Sequence, residues 1–265
     1  MRQFENEIIK NPMLKNFKIG ILFVCATALI SMKLPGGPSA DEIIAKANEK
    51  MRGNTSQAQV TIQIIRPTWN RELTMKSWSK GLDMSIALIT SPAKDKGTVF
   101  LKHKKEAWNW VPSIERTIKL PPSMMSQSWM GTDLTNDDLI NSASIVNDYT
   151  HKIIGEETIA GRSCYKIELI PKPQAAVVWG KIVTWIDKTD YIQMRSQFYD
   201  EDGSVVNTMN FTNIKSIGGR TIPTHFEVIP ADKPGNKTIM IYDNMIFDKP
   251  ISDDFFSTNN MKTVK

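Results

Sequence analysis

Cysteine is scarce in this sequence of 265 residues, which contains only Cys25 and Cys164. Cys25 lies in an apolar run near the N-terminus, so Cys164 is alone in the rest of the chain and has no partner for a disulfide. Cys164 alternates with polar residues in the stretch RSCYKIEL. This alternation indicates a buried packing role for the thiol rather than a chemical one.

Residues that commonly carry catalysis are also few. The three histidines, His103, His151 and His225, are far apart in sequence and match no metal-ligand spacing. There is no G-x-S-x-G motif, and the acidic pair Glu156–Glu157 is typical of exposed charge. Carboxylates distant in sequence can still meet in a fold, as glycoside hydrolysis requires. Nothing points to such a pair, and we expect a protein that is not an enzyme and uses no metal or cofactor.

Positive charge is sparse once the N-terminus is set aside. The formal net charge is +5, but residues 1–38 hold five basic and two acidic residues, which leaves +2 for the remainder. No cluster of Lys and Arg interleaves with aromatic residues, as a nucleic-acid surface would require. We therefore expect no nucleic-acid partner.

Long hydrophobic runs are lacking too. The apolar run at 19–30 has 12 residues, whereas a membrane-spanning helix needs about 20. Lys15 and Lys18 precede this run and PGGPSA follows it, which is the order of a secretory signal. We expect residues 1–38 to be a signal peptide, with 1–12 as an upstream extension and an uncleaved anchor as the alternative.

Helical patterns occur in two stretches only. Residues 39–52 carry apolar side chains at helical spacing, and Ser39 and Glu42 have the spacing of a capping box. The second stretch, at about 134–143, begins with a Thr-Asn pair, either member of which can cap a helix.

Most of the remaining chain alternates with a period of two. In QAQVTIQII, for example, Val60, Ile62 and Ile64 alternate with polar residues. Many such stretches with short turns and almost no βαβ order predict one antiparallel sheet. A sheet of this size curls or closes. Two short helices cannot cover its apolar face completely, so we expect an apolar cavity.

The run WNWVPSIERTIKLPPSMMSQSWMGTDLTNDDL, at 108–139, resembles the signature of the bacterial outer-membrane lipoprotein-sorting family, whose members are LolA-like. Thr132 and Leu134 depart conservatively from that signature. The stretches GRSCYKIELIPKP, VTWIDKTDY and FYDEDG also look like the family. The matching signature residues are Trp108, Trp110, Pro112, Arg116, Met130, Gly131, Asp133, Asp138 and Leu139.

The resemblance implies that residues 39–265 form a single domain. Its fold would be mainly β, a half-open antiparallel β-barrel of about 11 strands with short helices plugging the concave face. It also implies a periplasmic carrier or chaperone that binds acyl chains of lipids or lipoproteins for transfer towards the outer membrane. An inner-membrane transporter is a further candidate partner, and a monomer is expected. The alternative function is an envelope-stress sensor or regulatory module that acts through a membrane protein.

Large apolar side chains stand in the polar segment 121–134, which we interpret as a lid over the cavity. Met adapts to varied apolar shapes, and Trp has a large apolar body with one polar N–H. The alternative is that these side chains complete a closed core. Trp108 and Trp110 share one face of a preceding strand, which suits either the wall of the cavity or the core of the sheet. The residues predicted to contact ligand are Trp108, Trp110, Met124, Met125, Trp129 and Met130.

Arg116 alternates in phase with Ile114 and Ile118, so its side chain leans to the same face of its strand. It could meet a carboxylate or phosphate head group, because guanidinium binds both well. The favoured interpretation is that Arg116 pairs with Asp133 or Asp138 and pins the loop.

Overall fold

The computed structural model describes residues 37–141 and 143–265, and residues 38–265 form one compact unit. The signal segment predicted for residues 1–38 lies almost wholly outside the described part of the chain. No helix among the described residues has the length and apolar character needed to cross a membrane.

Within the described residues, thirteen strands form one antiparallel sheet. The strands are β1 (Thr55–Ile65), β2 (Asn70–Lys80), β3 (Met84–Ser91), β4 (Val99–His103), β5 (Glu106–Val111), β6 (Arg116–Lys119), β7 (Tyr149–Ile159), β8 (Arg162–Pro171), β9 (Lys181–Asp187), β10 (Gln193–Tyr199), β11 (Val205–Ile217), β12 (Arg220–Pro230) and β13 (Lys237–Phe247). The α-helices are α1 (Ala40–Arg52), α2 (Asn136–Ile140) and α3 (Ser144–Asn147). Short 3-10 helices lie at Pro112–Ile114, Pro122–Met124, Asp253–Phe256 and Asn260–Lys262.

The strand order is β6-β5-β4-β3-β2-β1-β13-β12-β11-β10-β9-β8-β7. Every pair of neighbours is consecutive in the chain except β1 and β13, which join the two halves of the sheet. The edge strands β6 and β7 do not pair with each other, so the sheet remains open. This confirms the predicted mainly β, half-open antiparallel fold, with thirteen strands rather than about eleven. The connection between the two edges, residues 120–148, contains α2 and α3.

Helix α1 begins as its sequence predicts. The Ser39 hydroxyl accepts from the Glu42 N–H at 3.2 Å, and the Ser39 N–H donates to Glu42 Oε2 at 2.9 Å. The helix ends at Gly53, whose φ of +61° suits glycine. Ile43 and Ile44 are fully buried and pack with residues of β7, β8 and β9. Burial of each such side chain contributes about 1.5–3 kcal/mol, which fixes α1 on the sheet.

The main hydrophobic cluster defines what we call the inner face of the sheet. It is built from alternate residues of strands on both sides of the β1–β13 junction. The strand residues of this cluster are Val60, Ile62, Ile64, Leu73, Met75, Ile89, Phe100, Met209, Phe211, Phe226, Val228 and Met240.

The opposite, outer face of β3 to β5 is covered by the C-terminal segment. Phe256 and Met261 are buried there against apolar side chains of β3 and β4. The Phe256 carbonyl oxygen lies 2.8 Å from His103 Nδ1. The outer face of this part of the sheet is therefore apolar and covered.

Candidate functional site

A cavity of about 270 Å³ lies on the inner face, enclosed by the sheet, α1 and the 120–148 connection. This volume is close to the lower end of the range for small-molecule sites, about 300–1,000 Å³. Part of its lining is strongly apolar and comes from the main cluster. These apolar lining residues include Phe100, Leu134, Phe211, Phe226 and Tyr242.

Five methionines also line the cavity. They come from α1, β2, β11 and β13, so they surround the space from several directions. Met side chains are flexible and polarisable, and they adapt to apolar ligands of irregular shape. The five are Met51, Met75, Met209, Met240 and Met245.

Trp129 enters the cavity wall from the 120–148 connection. It is 1% exposed, and its ring lies 5.4 Å from the ring of Phe100 between centroids. The loop folds back beside it, because the Trp129 N–H donates to the Leu134 carbonyl at 2.8 Å. The indole Nε1 is buried without a hydrogen-bond partner among the described residues. A buried N–H of this kind can donate to an oxygen atom of a ligand.

An ion pair anchors the tip of this loop. Arg66 Nη1 donates to Asp133 Oδ2 at 2.9 Å, and Arg66 Nη2 donates to the Gly131 carbonyl at 2.8 Å. The Thr238 hydroxyl also donates to Asp133 Oδ2, at 2.7 Å. Met130 has a φ of +50°, which is unfavourable for a residue with a side chain. These contacts hold the turn in a conformation that it would not adopt alone.

The cavity has a polar end, which the strand register defines. Ser56 of β1 lies opposite Ser79 of β2, Ser79 lies opposite Ser85 of β3, and Ser85 lies opposite Lys102 of β4. All four residues line the cavity. The Ser56 and Ser79 hydroxyls are 2.7 Å apart. This row of residues, the polar row, runs across four strands and ends in a cation.

Two cationic side chains line this cavity, Lys102 and Arg52. Lys102 is 8% exposed, and its ammonium donates to the Leu82 carbonyl at 3.1 Å. Burial lowers the pKa of Lys102, and the nearby positive charge of Arg52 lowers it further. Burial also lowers the pKa of Arg52. The positive charge of Arg52 thus acts on Lys102 within the lining of one cavity.

Two carboxylates from α2, Asp137 and Asp138, also line the cavity, and burial raises the pKa of both. Asp138 accepts from Trp179 Nε1 at 2.7 Å and from the N–H and the hydroxyl of Thr135, each at 2.8 Å. Asp137 Oδ1 accepts from Asn141 Nδ2 at 2.7 Å. These bonds fix α2 and its cap, so the two carboxylates have a structural role.

The six residues predicted to contact ligand lie in different places in the structure. Trp129 lines the cavity, and Met130 packs against the main cluster. Met124 and Met125 are half-buried in a smaller cluster with residues of β5 and α2. Segment 121–125 therefore closes the β5 side of the inner face rather than touching the cavity.

The prediction that Trp108 and Trp110 line the cavity wall is wrong. Both lie on the outer face, where they pack with the cluster that contains Phe256 and Met261. The inner face of β5 carries Ala107 and Asn109 instead, which lie opposite Lys102 and Phe100. The error arose because both faces of β5 are covered, so its apolar residues do not identify the cavity side.

The predicted partner of Asp133 is also corrected. Arg116 lies exposed on the edge strand β6, and Asp133 pairs with Arg66, which follows β1. Asp138 has Thr135 and Trp179 as its partners. An Arg–Asp pair does pin the loop, but the arginine comes from the turn between β1 and β2 rather than from β6.

Several functional candidates were missed from the sequence. Lys102 belongs to the run KHKK, which is typical of a solvated strand end, yet it is buried. Its alternation with Phe100 was the available signal, since residues two apart on a strand share a face. The position of Arg52 at the end of α1 is typical of an exposed basic residue, but its side chain lines the cavity.

Comparisons with known proteins agree with this architecture. A family model described as "-like: Uncharacterized protein" matches residues 81–263, more than half of the chain. A LolA superfamily protein, NE2245 from Nitrosomonas europaea, is 26% identical, with a TM-score of 0.73 over 84% of this chain and 99% of that one. The chain belongs to the family that this model describes, and it shares the fold of the LolA superfamily. No curated protein matches the sequence.

Two further solved structures share the LolA-like fold. A DUF1329 family protein from Desulfovibrio piger ATCC 29098 is 23% identical, with a TM-score of 0.77 over 84% of this chain and 97% of that one. An outer membrane lipoprotein-sorting protein domain from Vibrio parahaemolyticus is 20% identical, with a TM-score of 0.73 over 83% and 97% of the two chains. At these identities the two likenesses establish the LolA-like fold alone.

Proposed function

We propose that this LolA-like protein is a non-enzymatic carrier of the bacterial periplasm. It would hold acyl chains of lipids or lipoproteins in the inner-face cavity and transfer them towards the outer membrane. The observation that carries this proposal is the cavity itself, which is apolar, lined by five methionines and bounded by a loop that inserts Trp129. The family's lipoprotein-sorting relatives support the choice of cargo.

The energetics suit an apolar cargo that must later be released. Burial of a chain with about 14 CH₂ groups contributes roughly 11 kcal/mol, at about 0.8 kcal/mol per group. The loss of translational and rotational freedom on binding offsets several kcal/mol of this gain. A small, deformable cavity buries only part of a long chain, and the net affinity then permits exchange between membranes.

The 120–148 connection is the proposed gate. It joins the two unpaired edges of the sheet, and its residues Trp129 and Leu134 line the cavity. Movement of this connection would open the inner face without separating any strand pair. The contacts of Arg66 with Asp133 and Gly131 would hold the gate closed.

A cavity-filling variant tests the carrier function. Ala87 lines the cavity from β3, so Ala87→Phe would occupy the space with a ring. We expect the affinity for a fluorescent fatty acid to fall about tenfold or more, which corresponds to about 1.4 kcal/mol. The matched control is Ala45→Phe, the same exchange at an exposed position of α1.

Unchanged affinity in Ala87→Phe, with an intact fold by circular dichroism, would remove the cavity as the binding site. Isolation of the protein with one stoichiometric protein partner and no lipid would instead favour a regulatory module.

A further inference from the structure

We propose that the cavity selects single-chain amphiphiles with an anionic head group, a carboxylate or a phosphate, bound between Lys102 and Arg52 at the polar row. The acyl chain would then extend along the apolar inner face. This inference rests on the proposed carrier function and specifies its cargo.

The inner face changes from polar to apolar in successive layers. The polar row of Ser56, Ser79, Ser85 and Lys102 forms the first layer. The second layer lies two residues away on each strand, where the register places Ala58, Ser77, Ala87 and Phe100 opposite one another. The third layer contains Val60, Met75 and Ile89. At about 3.3 Å per residue, the layers are roughly 7 Å apart.

This gradient matches an amphiphile lying along the strands. A head group at the polar row would put the first carbons of its chain against Ala58 and Ala87, which are small. In the same layer the chain would pass Phe100, which lies beside Trp129, and it would then reach Met75 in the third layer. The order of side chains thus sets the direction in which a ligand enters, with its head at the Lys102 end.

The charge at the polar row calls for an anion. Desolvation of a charged group costs several kcal/mol unless an opposite charge or strong hydrogen bonds offset it. Lys102 forms no ion pair with any carboxylate of the described residues, and its ammonium donates to a neutral carbonyl. Arg52 adds a second positive charge nearby. A bound carboxylate or phosphate would reduce the repulsion between these two cations.

The acidic residues that face the same space do not fill this role. Asp138 is engaged by Thr135 and Trp179, and Asp137 is engaged by Asn141. Burial also works against the negative charge of both carboxylates, since it raises their pKa values. The charges of Asp83, Asp148 and Asp137 favour the ammonium form of Lys102 from a distance. None of them forms an ion pair with that ammonium among the described residues, so a ligand anion would be its first direct counter-ion.

The test compares probes that share one tail and differ in head group. Each probe would compete with a fluorescent fatty alcohol for binding to the full-length protein. The four probes are palmitate, hexadecyl phosphate, hexadecanol and hexadecyltrimethylammonium. We expect the two anions to bind about tenfold or more tightly than hexadecanol, because a charge-assisted hydrogen bond contributes more than a neutral one. The cationic probe should bind least. The ratio of palmitate to hexadecyl phosphate affinity identifies which anion is preferred.

Variants then locate the effect. Lys102→Gln should reduce the affinity for both anions about tenfold and leave hexadecanol unchanged, and Arg52→Gln should act in the same direction. Lys76→Gln is the matched control, since it removes one positive charge from an exposed position on β2. The wild-type comparison of probes requires no variant, so it holds even where a variant folds poorly.

The outcomes separate this inference from the carrier function. Hexadecanol binding as tightly as both anions would overturn the head-group site while the carrier function stands. Failure of all four probes to bind would overturn both. Loss of anion selectivity in Lys102→Gln but not in Lys76→Gln would support the site.

Discussion

Arg66 and Asp133 form an ion pair at 2.9 Å in which both side chains are nearly buried, with exposures of 11% and 5%. The pair links the segment after β1 to the loop that carries Trp129. The Asp133 N–H donates to the Thr238 hydroxyl oxygen at 2.9 Å, and the Thr238 hydroxyl donates to the Asp133 carboxylate at 2.7 Å. The position of the gate loop therefore depends on one charged contact with several supporting bonds.

Removal of one partner of this pair should strongly destabilise the protein. Asp133→Ala leaves the Arg66 guanidinium buried without its carboxylate, and losses of about 3–5 kcal/mol are typical of such changes. The measurement is the free energy of unfolding in urea. The control is Lys80→Gln, whose partner Asp253 is mostly exposed, and this change should cost at most about 1 kcal/mol. Equal losses in the free energy of unfolding for the two variants would show that the Arg66–Asp133 pair stabilises the fold no more than an exposed ion pair does.

Trp129 should tolerate loss of its N–H but not loss of its ring. Trp129→Phe removes a buried donor that has no partner among the described residues, so we expect a change of less than about 1 kcal/mol. Trp129→Ala leaves a large hole in the main cluster and should cost about 3–5 kcal/mol. Urea unfolding of both variants separates the contribution of the indole N–H from that of the packed ring. A loss in Trp129→Phe as large as that in Trp129→Ala would contradict this expectation.

Because of Lys102, the free energy of unfolding should change with pH in the alkaline range. Its pKa in the folded protein is lowered by burial and then by Arg52, while Asp83, Asp148 and Asp137 act in the opposite direction. Between that lowered value and the ordinary value of 10.5, the unfolded chain binds more protons than the folded chain. The free energy of unfolding should therefore rise with pH through this window in the wild type, relative to Lys102→Gln. Parallel pH profiles for the two proteins would contradict this.

Trp108 and Trp110 should affect stability without affecting ligand binding. Both lie on the outer face under the C-terminal segment, so Trp108→Ala should cost up to about 3–5 kcal/mol and leave fatty-acid affinity unchanged. Phe100→Ala, on the inner face of the neighbouring strand, should change the affinity. Displacement of a fluorescent fatty acid measures both variants. A loss of affinity in Trp108→Ala equal to that in Phe100→Ala would place the binding site on the outer face.

Local features were predictable from the sequence because few residues decide them. The capping box of Ser39 and Glu42 forms within one turn, and it appears in the structure as its spacing predicts. Thr135 likewise caps α2 through Asp138. The period of two, with short turns and almost no βαβ order, predicted one antiparallel sheet, because alternation indicates a sheet with two different faces. Its half-open form was implied by the family resemblance.

The site depended on contacts that alternation does not reveal. Arg66 and Asp133 meet only because the chain brings the edge connection back over β1 and β13. The outer-face position of Trp108 follows from the cover provided by residues after β13. Lys102 is buried because its strand is covered on both faces, although a basic run normally indicates exposure.

The proposal that the cavity holds an acyl chain can be examined on the protein as cells produce it. Native mass spectrometry of the full chain, purified from its own cell envelope, should show an added mass that matches a fatty acid, a phospholipid or a lipopeptide. The Ala87→Phe variant should lose that mass, whereas Ala45→Phe should retain it. An added mass of equal abundance in wild type and Ala87→Phe, or none in the wild type, would contradict the carrier function.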